Sequence, residues 1–578
     1  MPRTPVSHAV AILAAVACGC ASAASHNALD PDDPVSPYNP PDPPEWCDHA
    51  SCAEGSTWTH FAGAPHRGGR DAAGPRVSDL ASPSWVFSTD SAGNPVRFLG
   101  QSGVVVTRDL VIAVGIVILV GGPEPRVFAI DRRTGKQAWS AFISQPVANS
   151  WSTPVVDESN GTVIVTQASS LRALRLRTGA TAWTTALDRQ IINASPLVTT
   201  DLNHRDRVFI TGYDGFGDTG KLYCINVDRQ LGTANPYSPG DIVWTATIGG
   251  SVGNTPAYAR GIVYVATMGN YNAREPGQIR AYSALGDGSA PLWTFVNPSG
   301  FPFSGGVTVH PPPPISGMQP YQPFVYAASY NFEQACNEPA NLVKVNGLTG
   351  QMQWQIGCER TSSTPIVLDD GRILLSSGIS GITFGSRPGL ELFRDLGSGA
   401  IKLWDSSLAT WTDDNEDGCV DIGESFAVGG WTHQPAVRVR NGRTIAFAGT
   451  LLPVNDPNNG PFYEPCTDLH AIDLGENVPP SGDDFVLGSF SGAGTTPAIA
   501  DRNLYTVGAG GLYAFGPPPP DLDVNGDFLA DVDDLYAFEA GVGDRDVNQD
   551  GIVDKDDYET LVNRVRCREV EFMTNGRR

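Results

Sequence analysis

Three stretches set apolar and polar residues in alternation around a Thr-Gly pair: VFAIDRRTGKQAW (127–139), LRALRLRTGATAW (171–183) and LVKVNGLTGQMQW (342–354). Successive side chains of a strand point to opposite faces, so the alternation predicts half-buried strands, and the Gly suits a hairpin turn that needs positive φ. Looser copies end at Trp244, Trp293 and Trp404, and in LHAIDLGENVPPSGDDFVLGSF the Trp place is expected to fall to Phe485. A second signal precedes each copy: STPVV (152–156), ASPLV (194–198), NTPAY (254–258), STPIV (363–367), HQPAV (433–437) and TTPAI (495–499), each opening a strand pair such as TPAYARGIVYVAT.

With less regular starts near Val104 and Val307, the pattern gives about eight units spaced very roughly 45 to 60 residues apart, near the period of propeller blades. A unit of four short strands cannot bury both faces alone and must pack against its neighbours. The chain is therefore expected to be all-β, an eight-bladed β-propeller; a count of seven stays open if the unit around Val307 merges with a neighbour. The last unit, TTPAIADRNLYTVGAGGLYAF, supplies three strands and stops at PPPP (517–520). Its fourth strand is expected from PSWVFSTD (83–90), which would close the ring with an N-terminal strand and leave no free edge. A β-sandwich or two stacked all-β domains is the alternative architecture.

Composition adds class and compartment. The 578 residues carry 64 Gly and 46 Pro, which favours turns and short strands. The net charge is 38 − 62 = −24, which argues against nucleic acid or an anionic membrane as partner. Arg3, the apolar run AVAILAAVA (9–17) and Ala21-Ser22-Ala23 read as a signal peptide over 1–23, too short in its apolar part to span a bilayer. The protein is thus expected to be secreted, at the cell surface or in the periplasm, with no transmembrane helix after signal cleavage. Lipid attachment at Cys18 or Cys20 remains an alternative. A Pro-rich segment (24–54) follows. Eight cysteines remain, and the pairs Cys47–Cys52, Cys336–Cys358 and Cys419–Cys466 are sensible disulfides, while Cys224 in LYCINV is expected to pack as a small buried hydrophobe.

The chemistry lies in three acidic loops. DVNQDGIVDKDD (546–557) follows the twelve-residue calcium pattern. Asp546, Asn548 and Asp550 would ligate at positions 1, 3 and 5, Ile552 through its carbonyl at 7, Asp554 at 9 and Asp557 at 12, with Gly551 at the sharp turn. Val553 at position 8 is expected to point into a small core. A second copy, DVNGDFLADVDD (523–534), keeps Asp523, Asn525, Asp527, the carbonyl of Leu529, Asp531 and Asp534. Phe528 replaces its turn Gly, at a conformational cost on the order of 1 kcal/mol. A third loop sits among the repeats: Asp413, Asn415, Asp417, the carbonyl of Cys419, Asp421 and Glu424, with Gly418 at the turn. Such an oxygen set suits Ca2+, two ions in the tail and one in the insertion, whereas Zn2+ wants His or Cys. Leu535 with Phe538, and Tyr558 with Leu561, Val562 and Val565, have the spacing to pack one short helix on another.

Two resemblances follow from these residues. The strand-Thr-Gly-strand-Trp units, with the lead-in WTHFAGAPHRGGRDAAG (58–74), resemble the pyrroloquinoline-quinone (PQQ) dehydrogenase-like, or quinoprotein alcohol dehydrogenase-like, propeller repeats over 55–516. That resemblance implies Trp residues docking blade to blade, in a superfamily holding both quinone-dependent dehydrogenases and non-catalytic outer-membrane assembly scaffolds. It implies for the quinone enzymes a vicinal disulfide beside the cofactor, and this sequence has no adjacent cysteines. PQQ and catalytic residues are accordingly not expected. After the Pro linker 517–520, residues 521–578 hold two loop-helix units ending in Asp and resemble a type I dockerin. This implies a calcium-folded module that engages a cohesin-like or other cell-surface scaffold protein. The contact positions usual in that family, often Ser or Thr, are Val532-Asp533 and Lys555-Asp556 here. The reading as a whole is an exported binding or display module. A divergent quinone-dependent dehydrogenase, or a polysaccharide-binding or -degrading protein of a dockerin-bearing complex, is the alternative.

Overall fold

The computed structural model describes residues 57–562 except 72–73, 99–101, 145–151, 216, 312–320, 332–338, 379–387, 417, 419, 421–423, 441–442, 452–465, 483, 518–523, 525–531, 542, 544, 546, 548–552, 554, 556 and 560. Its strands form eight separate sheets, each built on a four-stranded antiparallel meander. They are the eight blades of an all-β propeller, and the unit around Val307 is a full blade of its own, opened by Thr308–His310.

Burial follows position within a blade. In blade 3 the second strand, Arg207–Gly212, is buried at all six residues, because neighbouring blades cover both its faces. The outer strand, Ile242–Gly249, alternates exposed and buried residues as a half-covered strand must. Cys224 on the strand between them is fully buried among Leu222, Phe209 and Trp244, and burial pushes its thiol pKa up. Of the suggested disulfides, Cys47, Cys52, Cys336 and Cys419 lie outside the described residues.

Ring closure is as expected. Trp85–Phe87 pairs antiparallel with Gly511–Phe515, so blade 8 takes its outer strand from the N-terminal side and three strands from the C-terminal side. Trp85 stands opposite Ala514 as Trp139 stands opposite Ala129 and Trp183 opposite Ala173. Trp139, Trp293 and Trp85 lean onto the Thr-Gly turn of the next blade, at Gly179, Gly350 and Gly135, while Trp183 and Trp244 meet Gly240 and Gly288 in turns of other sequence. The indole NH of Trp139 in blade 1 donates to Leu176 O of blade 2 (2.6 Å), that of Trp293 in blade 4 to Gly347 O of blade 5 (2.9 Å), and that of Trp85 in blade 8 to Arg132 O of blade 1 (2.9 Å). The turn residue must be Gly twice over. At Gly179 φ is +67°, and a Cβ there would sit 2.6 Å from the Trp139 ring.

Blade 7 departs from the expected assignment. Counting through the bulge, Ala471 faces Gly488, so Gly488 and not Phe485 holds the Trp register. A short 3-10 helix, Val77–Ala81, lies over that place, and a Cβ on Gly488 would be 3.1 Å from Val77 Cγ1. An indole there would collide with the helix. Phe485 instead is fully buried and meets Trp404 of blade 6 edge-on, with ring centroids 5.1 Å apart.

The repeated Ser/Thr-Pro openings stitch the inner ends of the blades together. Thr153 Oγ1 accepts from Gly103 N (2.9 Å), Ser195 Oγ from Thr153 N (3.0 Å) and Thr255 Oγ1 from Ser195 N (3.1 Å). In HQPAV the amide oxygen of Gln434 takes the same role for Thr364 N (2.9 Å). These are buried amides that no strand ladder serves, so each hydroxyl answers an otherwise costly donor.

Candidate functional site

Residues 58–71, the lead-in segment, run inside the ring along the inner strands of blades 1 to 7. Trp58 exchanges backbone hydrogen bonds with Val106, and the carbonyls of Thr59, Pro65, His66 and Gly69 accept from Val156, Tyr258, Val309 and Val437. The His60 ring nitrogen Nε2 lies 2.9 Å from Val198 O. Arg70 pairs with Asp369 (2.7 Å), and Arg70–Asp71 then adds a parallel strand to blade 7 at Val437 and Arg438. At the centre of this coil Arg67 is fully buried. Its guanidinium donates to Phe61 O and Pro256 O (2.9 Å each) and to Pro196 O (3.2 Å). Burial lowers its pKa to about 9, and burial together with the Arg67 charge lowers that of His60 to about 3, so this imidazole is neutral near pH 7. His433, buried in blade 7, is also pushed down to about 3 by burial and accepts from Gly449 N (3.0 Å). Both histidines serve the backbone.

The loop from Asp413 to Glu424 is drawn shut by its own ends. Asp413 Oδ2 accepts from Gly418 N (3.1 Å), joining positions 1 and 6, and Gly418 has φ +76°. The buried Glu424 carboxylate turns back on the loop's start: Oε1 accepts from Asp414 N (3.1 Å) and Oε2 from Trp411 Nε1 (3.2 Å). The carboxylates at positions 1 and 12 thus belong to one closed loop, and oxygen donors of this type are those a hard cation takes. Asp417, Cys419 and Asp421 lie outside the described residues. Among the described residues no group of three or more His, Cys, Asp or Glu side chains is gathered to hold an ion.

In the tail, Val532–Ala540 is a helix, and Phe538 packs with Val524, Val547 and Leu561 in a core of its own. Tyr558 lies against Phe538, with centroids 5.6 Å apart, and its hydroxyl donates to Glu539 (2.9 Å). Asp534 and Asp557, the twelfth positions of the two loops, are both fully buried at the edge of this core. Asp523, Asn525, Asp527, Leu529, Asp531, Asp546, Asn548, Asp550, Ile552, Asp554 and Val565 lie outside the described residues. One expectation is corrected. Val553 is 48 % exposed and does not enter the core, and the valines at position 2, Val524 and Val547, fill it instead. The sequence carried that signal, since both copies read Asp-Val-Asn.

The family model described as outer membrane protein assembly factor BamB matches residues 87–237 and 168–378. No curated protein matches the chain. Among solved structures, BamB from Moraxella catarrhalis is 15 % identical with a TM-score of 0.44, covering 75 % of this chain and 96 % of that one. Quinohemoprotein alcohol dehydrogenase ADHIIG from Pseudomonas putida HK5 is 12 % identical with a TM-score of 0.49, covering 80 % and 77 %. The quinohemoprotein alcohol dehydrogenase from Comamonas testosteroni is 12 % identical with a TM-score of 0.47, covering 81 % of each chain.

Proposed function

The chain belongs to the PQQ-like propeller repeat family whose model carries the BamB description, and from that premise we propose that it is an exported binding or display module, with a ring that presents its loops to a ligand and a calcium-folded, dockerin-like tail that fixes it to a surface or extracellular assembly. The observation that carries this reading is the coil of residues 58–71, which fills the inner wall of the ring with the chain's own backbone across seven blades. A ring organised around such a coil is a rigid platform, and recognition falls to its rim and loops. Ca2+ would be held by the oxygen ligands of the three acidic loops and would supply structural order there. The tail's separate small core, behind a run of four prolines, supports its reading as a module that can engage a cohesin-like scaffold at some distance from the ring.

The rival reading is quinone catalysis, and titration separates the two. The full chain is mixed with PQQ and calcium while tryptophan fluorescence and the quinone absorption band are followed. The expected result is no saturable quenching at micromolar quinone. Stoichiometric quenching would overturn the proposal, because a quinone stacked in the ring quenches a nearby indole.

A further inference from the structure

Where the chain leaves the coil and crosses to the rim, it walls a cavity of about 570 Å³ between residues 74–84, the inner strand of blade 7 and the edge of blade 8. Four arginines line it: Arg76, Arg438, Arg440 and Arg502. In a chain with net charge −24 this is a local inversion of sign. None of the four has an ion pair among the described residues, whereas the nearby Arg443 is neutralised by Asp473 (3.0 Å). The one carboxylate in the wall, Asp79, accepts from the backbone NH of Arg76 (2.7 Å) and can offset only one of the four cations.

The cluster is built rather than incidental. Arg438 is held by Pro75 O, its Nε is buried with no hydrogen-bond partner, and Gly74 closes over its stem so tightly that a Cβ there would lie 2.9 Å from Arg438 Cβ. Burial, and then the charges of Arg440 and Arg443, push its pKa down while Asp79 opposes them, as expected where cations outnumber carboxylates. Ser78 and Ser82 add hydroxyl groups to the same wall, while that of Ser84 donates to Ala514 O (3.1 Å).

We propose that this cavity is a binding site for an organic polyanion that presents two or more oxyanion groups, carboxylate or sulfate/phosphate ester, on a body of sugar size. Guanidinium forks match such oxygens in two-point fashion, and unpaired guanidiniums facing a cavity gain most from an anion that replaces the missing counter-charge. The volume lies within the range of small-molecule sites and well above what a single inorganic oxyanion needs. The inference does not depend on the calcium loops or on the proposed role of the tail.

The test is calorimetry on the full chain at fixed calcium, with tetragalacturonate as the carboxylate probe, sucrose octasulfate as the sulfate-ester probe and neutral cellotetraose as control. Saturable 1:1 binding of at least one anionic probe is expected, weakening as salt rises. Arg440→Gln with Arg502→Gln, both exposed side chains, should weaken it roughly tenfold or more while leaving the thermal melt in place. Which probe binds identifies the oxyanion. No binding of either probe, equal binding of cellotetraose, or an unchanged affinity in the double variant would each overturn the proposal.

Discussion

Arg67→Met is expected to cost the protein about 4 kcal/mol. The side chain is fully buried and satisfies three carbonyls, those of Phe61, Pro196 and Pro256. Two of these belong to the prolines that open blades 3 and 4. Methionine fills much of the volume but leaves those carbonyls without a donor, and each buried orphan costs about 1–3 kcal/mol. Part is recovered because a buried cation no longer needs to be desolvated, a cost visible in the lowered pKa of Arg67. A urea melt of the variant measures the balance. A shift equivalent to less than about 1 kcal/mol would show that the coil is laid on the ring rather than built into it.

Trp85→Ala should be the most damaging of the tryptophan truncations. Every docking indole removed from between two blades loses apolar burial and leaves a cavity, about 3–5 kcal/mol. Trp183, between blades 2 and 3, sits where the chain itself links the two blades, so the loss stays local. Trp85 sits on the strand that is held to the rest of blade 8 only by non-covalent pairing with Gly511–Phe515: its ring lies against Tyr505 of that blade, with centroids 5.9 Å apart, while its indole rests on Gly135 and its NH donates to Arg132 O of blade 1. Loss of this joint should open the ring as well as destabilise it. Limited proteolysis reads the difference, with cleavage N-terminal to residue 90 appearing early in Trp85→Ala and absent in Trp183→Ala. Equal patterns in the two variants would refute a special role for the closing strand.

The fold was legible where side chains carry it. Alternation around Thr-Gly gives the outer strand pairs, Trp at a fixed register marks seven of the eight blades, the Pro-containing openings help complete the count, and the Trp-bearing PSWVFSTD gives the closure. The misassignment of Phe485 arose from the same reliance on spacing. The long loop of blade 7, GENVPPSGDD, hides which residue follows the bulge, and the place of the missing indole is taken by a helix from the far end of the sequence. In the sequence the coil of residues 58–71 is legible only as a lead-in, because it is held mostly by backbone amides and carbonyls, for which the sequence has no letters. The arginine cavity was not legible either, since its walls come from segments more than 350 residues apart that meet only when the ring closes. In the tail the loops are visible in the spacing of carboxylates, and the repeated Asp-Val-Asn carries the inward valines at position 2 that packing then shows.

The account turns on calcium organising the tail, and calorimetric titration of the calcium-stripped full chain with Ca2+ tests this directly. The wild type should titrate with two tail sites and one insertion site, and Asp546→Ala with Asp550→Ala should remove the heat of the second tail loop and expose 540–578 to protease. Glu424→Gln should independently remove the insertion site and leave the tail protected. A titration without saturable heat, or one that Asp546→Ala with Asp550→Ala leaves unchanged, would contradict the account and return the tail to an acidic segment without a bound ion.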